Sequence, residues 1–202
     1  MVDIILIPSC PAPSVASPAM VSFVTEMTGP LGGPTQRVPR IGSRWRIDFE
    51  YPPMTYGDGR QFLSRLNRAE LSPVAIAFPQ RGLRPLSPGP LAVNGAATTA
   101  LESNAQLVVR GGIPGVELVD GQFFHVASGG RRWVHQLVGD VILDGSGAGV
   151  LGVVPLLRFA PADGDLLEFV APLLEGFVTL GWNWTIEMLN RVGLRFSVVE
   201  DR

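Results

Sequence analysis

Between residues 44 and 51 hydrophobic and charged side chains alternate without a break. Trp45, Ile47, Phe49 and Tyr51 fall on one side, and Arg44, Arg46, Asp48 and Glu50 on the other. Successive side chains of an extended chain point to opposite faces, so this period of two predicts a strand with one buried face. Pro52 and Pro53 cannot donate to a ladder and are expected to end it. Thr55, with Asp58 three residues later, reads as a variant capping box. The period then becomes helical: Phe62, Leu63, Leu66 and Ala69 share one side, with Arg60, Arg65 and Arg68 opposite. This predicts a helix near residues 55–70, stopped by Pro73, and the apolar run 74–78 predicts another strand.

From residue 87 to residue 164 the texture changes to short strand-like pieces at 106–110, 122–126, 132–138 and 150–157, separated by glycine-rich turns. Asp144-Gly145-Ser146-Gly147 is a hairpin signal, because glycine supplies the positive φ such turns need. No helical period is visible there. Strict alternation returns at the C-terminus, where Trp182, Trp184, Ile186 and Met188 oppose Asn183, Thr185 and Glu187. Further on, Leu194, Phe196 and Val198 oppose Arg195 and Ser197. The two ends are therefore expected to share a sheet. The predicted fold class is mainly β: a β-sandwich with one short α-helix, formed by residues 1–86 and 165–202, plus an inserted small β-barrel or sandwich domain formed by residues 87–164.

Composition narrows the function. With 46% hydrophobic residues among 202, the chain can fill a sizeable core. Only 17% of residues are charged and the net charge is −2, which is no basis for gripping phosphates, so nucleic-acid binding is not expected. The 24 glycines and 18 prolines imply many tight turns. The single Cys10 excludes an internal disulfide framework and any multi-cysteine zinc site. Asp3 and an apolar run of only residues 4–7 do not make an export signal. The most apolar stretch, residues 166–180, is interrupted by Glu168, Pro172, Glu175 and Gly176, so no membrane-spanning segment is expected.

Candidate chemistry is sparse. Nucleophilic catalysis needs a base, and the histidines are His125 and His135 alone. Cys10 lies among prolines, away from any predicted helix terminus that would activate it. The ten-residue interval between the histidines suits neighbouring hairpin strands on which two imidazoles could face each other. A metal would still need a third ligand such as Asp140, and no compact motif supplies one. The 18 acidic residues offer carboxylate pairs without specificity, and none of the glycine clusters sits between a strand and a helix as a phosphate loop must. No catalytic, cofactor-binding or metal residue is assigned, no cofactor is implied, and the chain is not expected to be an enzyme.

Four tryptophans on a β-rich chain suggest a carbohydrate-binding module in contact with a host surface as an alternative function. Trp45, Trp182 and Trp184 fall on inward-facing alternations and are expected in the core. Trp133, preceded by Gly129-Gly130-Arg131-Arg132, is the one expected to be exposed. Arg131, Arg132 and Trp133 are thus the candidate contact for a protein partner or a host glycan.

Read in order, Gly29-Pro30-Leu31-Gly32-Gly33-Pro34-Thr35-Gln36-Arg37-Val38 and Gly42-Ser43-Arg44-Trp45-Arg46-Ile47-Asp48-Phe49-Glu50-Tyr51-Pro52-Pro53-Met54, followed by a helix, resemble a family of bacteriophage minor tail proteins from siphophage and prophage tail gene clusters. The likeness continues through Gly139-Asp140, Asp144-Gly145-Ser146-Gly147, Val154-Pro155-Leu156-Leu157-Arg158-Phe159-Ala160-Pro161-Ala162-Asp163-Gly164 and the closing Trp182-Asn183-Trp184. Its specificity lies in the order and spacing of these segments. The resemblance implies a structural, distal-tail-like adaptor at the tail tip or baseplate of a long-tailed phage. Such a protein is made in the host cytoplasm and built into the virion as a ring around the tail axis, hexameric by the family pattern. The tube, hub and tape-measure proteins would be its neighbours.

Within such a ring, the oppositely charged face Arg44, Arg46, Asp48 and Glu50 is the candidate subunit interface. The first 28 residues depart from the family pattern. Their proline-rich part, residues 8–18, would lose little entropy on docking against a neighbouring subunit, and equally could lie on its own domain.

Overall fold

The structure is a computed structural model that describes residues 4–29, 32–38, 40–80, 82, 87–99, 105–186 and 191–201. Among these the chain is mainly β. Its first part contains β1 (Ile5–Leu6), β2 (Val15–Val21), β3 (Thr25–Met27), β4 (Gln36–Val38), β5 (Arg44–Thr55), helix α1 (Tyr56–Arg68) and β6 (Val74–Ala77). The middle contains β7 (Ala92–Val93), a short helix α2 (Gly95–Thr99), β8 (Gln106–Arg110), β9 (Glu117–Leu118), β10 (Phe123–Ser128), β11 (Arg131–Val138), β12 (Val141–Ile142), β13 (Gly149–Val154) and β14 (Leu166–Glu168). The chain then forms β15 (Leu173–Val178), β16 (Asn183–Ile186) and β17 (Arg191–Glu200).

Seven strands make one sheet in the order β1-β6-β15-β17-β5-β2, with β16 beside β17. Strands from both ends of the sequence are thus direct neighbours: Phe49 pairs with Phe196 and Ile47 with Val198. The alternation in β5 translates into burial, since Trp45, Ile47, Phe49 and Tyr51 enter the core and the charged residues between them stay half-buried on the other face.

Pro52 and Pro53 do not end β5, which runs on to Thr55. The pairing with β17 shifts register between Val192 and Leu194, opposite the prolines, so a bulge absorbs the missing donors. Thr55 then caps α1: its hydroxyl accepts the Asp58 amide at 3.3 Å and donates to the Asp58 carboxylate at 2.7 Å. Phe62, Leu63 and Leu66 form the helix face that covers the sheet, with the Phe62 ring 4.9 Å from that of Tyr51. Gly59 lets the helix come this close, since a Cβ there would lie 3.1 Å from Val192 Cβ.

Strands β10-β11-β13-β8-β7-β14 close into a barrel around Leu107, Val109, Phe124, Val126, Leu137, Leu151 and Phe169. All of them lie in sequence between β6 and β15, which pair with each other, Ala77 opposite Leu173. The barrel extends past residue 164, the limit drawn from sequence: β14 pairs with β10 and β7. Its three residues are too short for a period to show. Helix α2, with five residues, is likewise an element that no periodicity announced.

Barrel and sheet share a seam. The Phe123 ring stacks on Phe78 with centroids 4.1 Å apart and meets Trp45 edge-on at 5.0 Å, and Val134 belongs to the same buried cluster. Such aromatic pairs contribute about 0.5–1.5 kcal/mol beyond their buried area. The Gln80 side chain extends the barrel wall by imitating a strand, donating to the Phe123 carbonyl at 2.9 Å and accepting its amide at 2.8 Å.

Candidate functional site

The polar face of β5 is paired within the chain. Arg46 donates from Nε to Asp48 Oδ1 at 2.9 Å, Ser197 Oγ donates to the same oxygen, and Arg195 Nη2 lies 2.5 Å from Glu50 Oε1. Arg44 lies over the Phe23 ring at 5.6 Å. Of the four candidate interface residues, Asp48 and Glu50 open onto a groove of about 370 Å³ that β2 and β17 also line. Its wall is an excursion of the chain between β15 and β16. Val178 pairs with Val198 and Asn183 with Arg195, so four residues on one strand face two on the other. Gly181, at φ +85°, takes a conformation that other residues adopt only under strain, and the resulting turn sets Trp182 against the groove.

Arg131, which is exposed, and the half-buried Arg132 and Trp133 lie at the rim of the seam, each engaged by a partner within the chain. Arg131 Nη1 pairs with Asp201 at 3.1 Å, and Arg132 Nη1 pairs with the buried Glu175 carboxylate at 3.1 Å. Trp133 is half-buried, stacked on Phe159 at 5.2 Å with the Arg158 guanidinium carbon 5.1 Å from its ring centre. The expectation of an exposed Trp133 is therefore corrected: Arg158 and Phe159, more than twenty residues away, cover its ring. Trp184, expected in the core, is instead 42% exposed, because β16 extends the sheet beyond its cover.

At the centre of the seam is Glu200, the last residue of β17. Its Oε1 accepts the Val134 amide at 2.8 Å from the barrel, and its Oε2 accepts the Trp45 amide at 3.1 Å from the sheet. Arg158 Nη2 stands 2.6 Å from Oε2, with side-chain exposures of 5% for Arg158 and 1% for Glu200; the contact is at ion-pair range without hydrogen-bond alignment. Burial pushes the Glu200 carboxyl above its ordinary value, and Arg158 and the two amides pull it part of the way back. No local motif marks this residue, whose amide partners lie 155 and 66 positions away.

The histidines lie on adjacent strands but do not face each other. His125 pairs with Val134 and His135 with Phe124, so the one-residue offset puts them on opposite faces of the barrel wall. His135 Nδ1 is 3.0 Å from the Pro155 carbonyl, an acceptor, which requires the proton on Nδ1; Nε2 has no partner. His125 has the other tautomer, because its Nδ1 accepts the Leu173 amide at 3.1 Å. Burial first, then Arg158, lowers His135 to about 3, and burial, then Arg132, lowers His125 to about 4. Among the described residues no three His, Cys, Asp or Glu side chains gather as a metal site. No helix there is long and apolar enough to cross a membrane.

The N-terminal part forms an arm. After β2 the chain makes the separate hairpin β3–β4, and Phe23, Val24, Met27, Val38 and Ile41 are all exposed. Phe23 ties its base to the body through Arg44 and the Ser43 hydroxyl, which accepts the Phe23 amide at 3.1 Å. Compared with known proteins, the chain matches no family model and no curated sequence.

Proposed function

We propose that this chain is a self-associating structural component of a long-tailed bacteriophage tail tip. The observation that carries self-association is the β3–β4 arm. A lone two-stranded hairpin is at best marginally stable in water. This one leaves Met27, 59% exposed, and Val38 uncovered, and Phe23, Val24 and Ile41 in the segments flanking it are exposed as well. Exposed apolar groups concentrated on one segment are the mark of a protein contact, and a second copy of the chain is the occupant that brings the same need. The sequence resemblance supplies the setting, with the tube, hub and tape-measure proteins as further partners. The subunit contact then lies at the arm and the outer edge of β2. The charges of Arg46, Asp48 and Glu50 are already paired in cis and gain little from an interface.

A head-to-tail contact between copies closes into a ring, whereas a contact of the arm with itself stops at a dimer. Light scattering over a range of concentrations, with negative-stain images of the large species, tests this. Closed rings are expected. The double variant Met27→Asp, Val38→Asp is expected to be monomeric with an unchanged melting temperature, since both side chains are exposed. A wild-type monomer at every concentration, or rings that survive these substitutions, overturns the reading.

A further inference from the structure

We propose that the groove between β2, β5, β17 and the 179–183 excursion is a binding site for an uncharged carbohydrate. Its floor is two cross-strand rows. Glu50 stands between Val15 and Arg195, and Asp48 between Ser17 and Ser197. Neighbouring strands lie about 4.8 Å apart and alternate residues of one strand about 6.8 Å apart, which spreads hydrogen-bonding groups over an area the size of a sugar ring. Trp182, half-buried against the sheet core, supplies an aromatic wall, and Thr179 and Asn183 add polar groups beside it. At about 370 Å³ the groove is at the lower end of the roughly 300–1,000 Å³ typical of small-molecule pockets.

The balance of charge selects the ligand class. Asp48 and Glu50 are offset by Arg46 and Arg195, so the floor carries no surplus of either sign. A phosphate or nucleotide finds no excess cation, and an apolar ligand would strand charged groups without solvent. A neutral polyol suits both. Asp48 Oδ2 and Glu50 Oε2 take no hydrogen bond from the described residues and can accept from neighbouring hydroxyls. The Arg195 guanidinium can donate to hydroxyl oxygens, and an indole covers the C–H face of a pyranose. Arg46, Ser197 and Arg195 already hold the two carboxylates in place, so little side-chain freedom is left to lose on binding. No residue of β3 or β4 lines the site, although β2 borders both it and the proposed subunit contact.

Saturation-transfer NMR observes the sugar and works on a monomer or a large ring alike. The panel is neutral tetrasaccharides built from glucose, galactose, mannose, rhamnose or N-acetylglucosamine, with an oligosialic acid as the charged comparison. Transfer to at least one neutral sugar is expected, with saturable binding by calorimetry. Glu50→Gln and Asp48→Asn, which keep size and fold, are each expected to weaken that binding at least tenfold. Trp182→Ala should abolish it, and Trp133→Phe, at the seam, should leave it unchanged. No transfer to any neutral sugar, transfer to the sialic acid alone, or binding indifferent to Glu50→Gln and Asp48→Asn overturns the proposal. Loss of rings in the arm variant with sugar binding intact would separate this site from the assembly reading.

Discussion

Glu200 and Arg158 meet 2.6 Å apart in the seam, and the Glu200 carboxylate also takes one amide from the sheet and one from the barrel. A buried ion pair is not strongly stabilising in itself, but breaking it strands the surviving charge. Glu200→Ala is expected to cost about 3–5 kcal/mol in urea unfolding. Replacing both partners, Glu200→Gln with Arg158→Met, should cost less than the sum of the single changes. Additive costs in the double-mutant cycle would mean that the two side chains do not act as a pair.

Both histidines resist protonation in the folded state. From the ordinary 6.5, His125 falls to about 4 and His135 to about 3. The unfolded chain therefore binds protons as pH drops through 6.5 while the folded chain does not. The stability linked to each neutral ring is complete above pH 6.5 and is lost on acidification, at about 1.4 kcal/mol per pH unit per histidine until its folded pKa is reached. Glu200 acts in the opposite direction: its raised pKa favours the folded state in acid, and that contribution is lost as pH rises through the folded value. With two histidines against one carboxyl, the melting temperature is expected to fall between pH 7 and pH 5. His135→Phe should reduce that slope. An unaltered slope would place the acid sensitivity elsewhere.

Trp133 and Trp184 should respond in opposite ways to truncation. Trp133→Ala removes a ring stacked on Phe159 and is expected to cost about 3 kcal/mol. Trp184→Ala, on an exposed face, should stay within about 1 kcal/mol. Equal costs by chemical denaturation would contradict the burial assigned to Trp133.

Close backbone approach leaves no room at Gly176 or Gly147. A Cβ at Gly176 would lie 2.0 Å from the Val199 carbonyl oxygen, and one at Gly147, where φ is +73°, would lie 1.9 Å from that of Gly112. Alanine at either position is expected to cost about 3 kcal/mol or more. Gly145→Ala, in open space, is the control and should change melting by little.

The sequence was most legible where one residue's neighbours set its conformation. The alternation of 44–51, the Thr55 cap and the Asp144 turn all reflect local geometry, and each appears in the structure. It was least legible where register or distance decides. The opposite faces of His125 and His135 follow from a pairing offset that no spacing along the chain reveals. Trp133 acquires its cover from Phe159, and Glu200 its amides from Val134 and Trp45, through tertiary closure alone. Pro52 and Pro53 misled because they sit in a bulge of β5, where the two of them face the single Gly193 of β17, and that pairing is not visible from the local sequence.

Ala77 and Leu173 stand opposite each other in the sheet, so the barrel departs and returns at a single place. A body attached in this way pivots about its root when pushed. Close to that root, opposite Gly176, the Glu200 carboxylate grips Val134 on one side and Trp45 on the other. A load on the barrel therefore meets the Glu200 carboxylate together with the packed Phe123, Phe78 and Trp45 rings, making the seam a mechanical coupling between the two bodies.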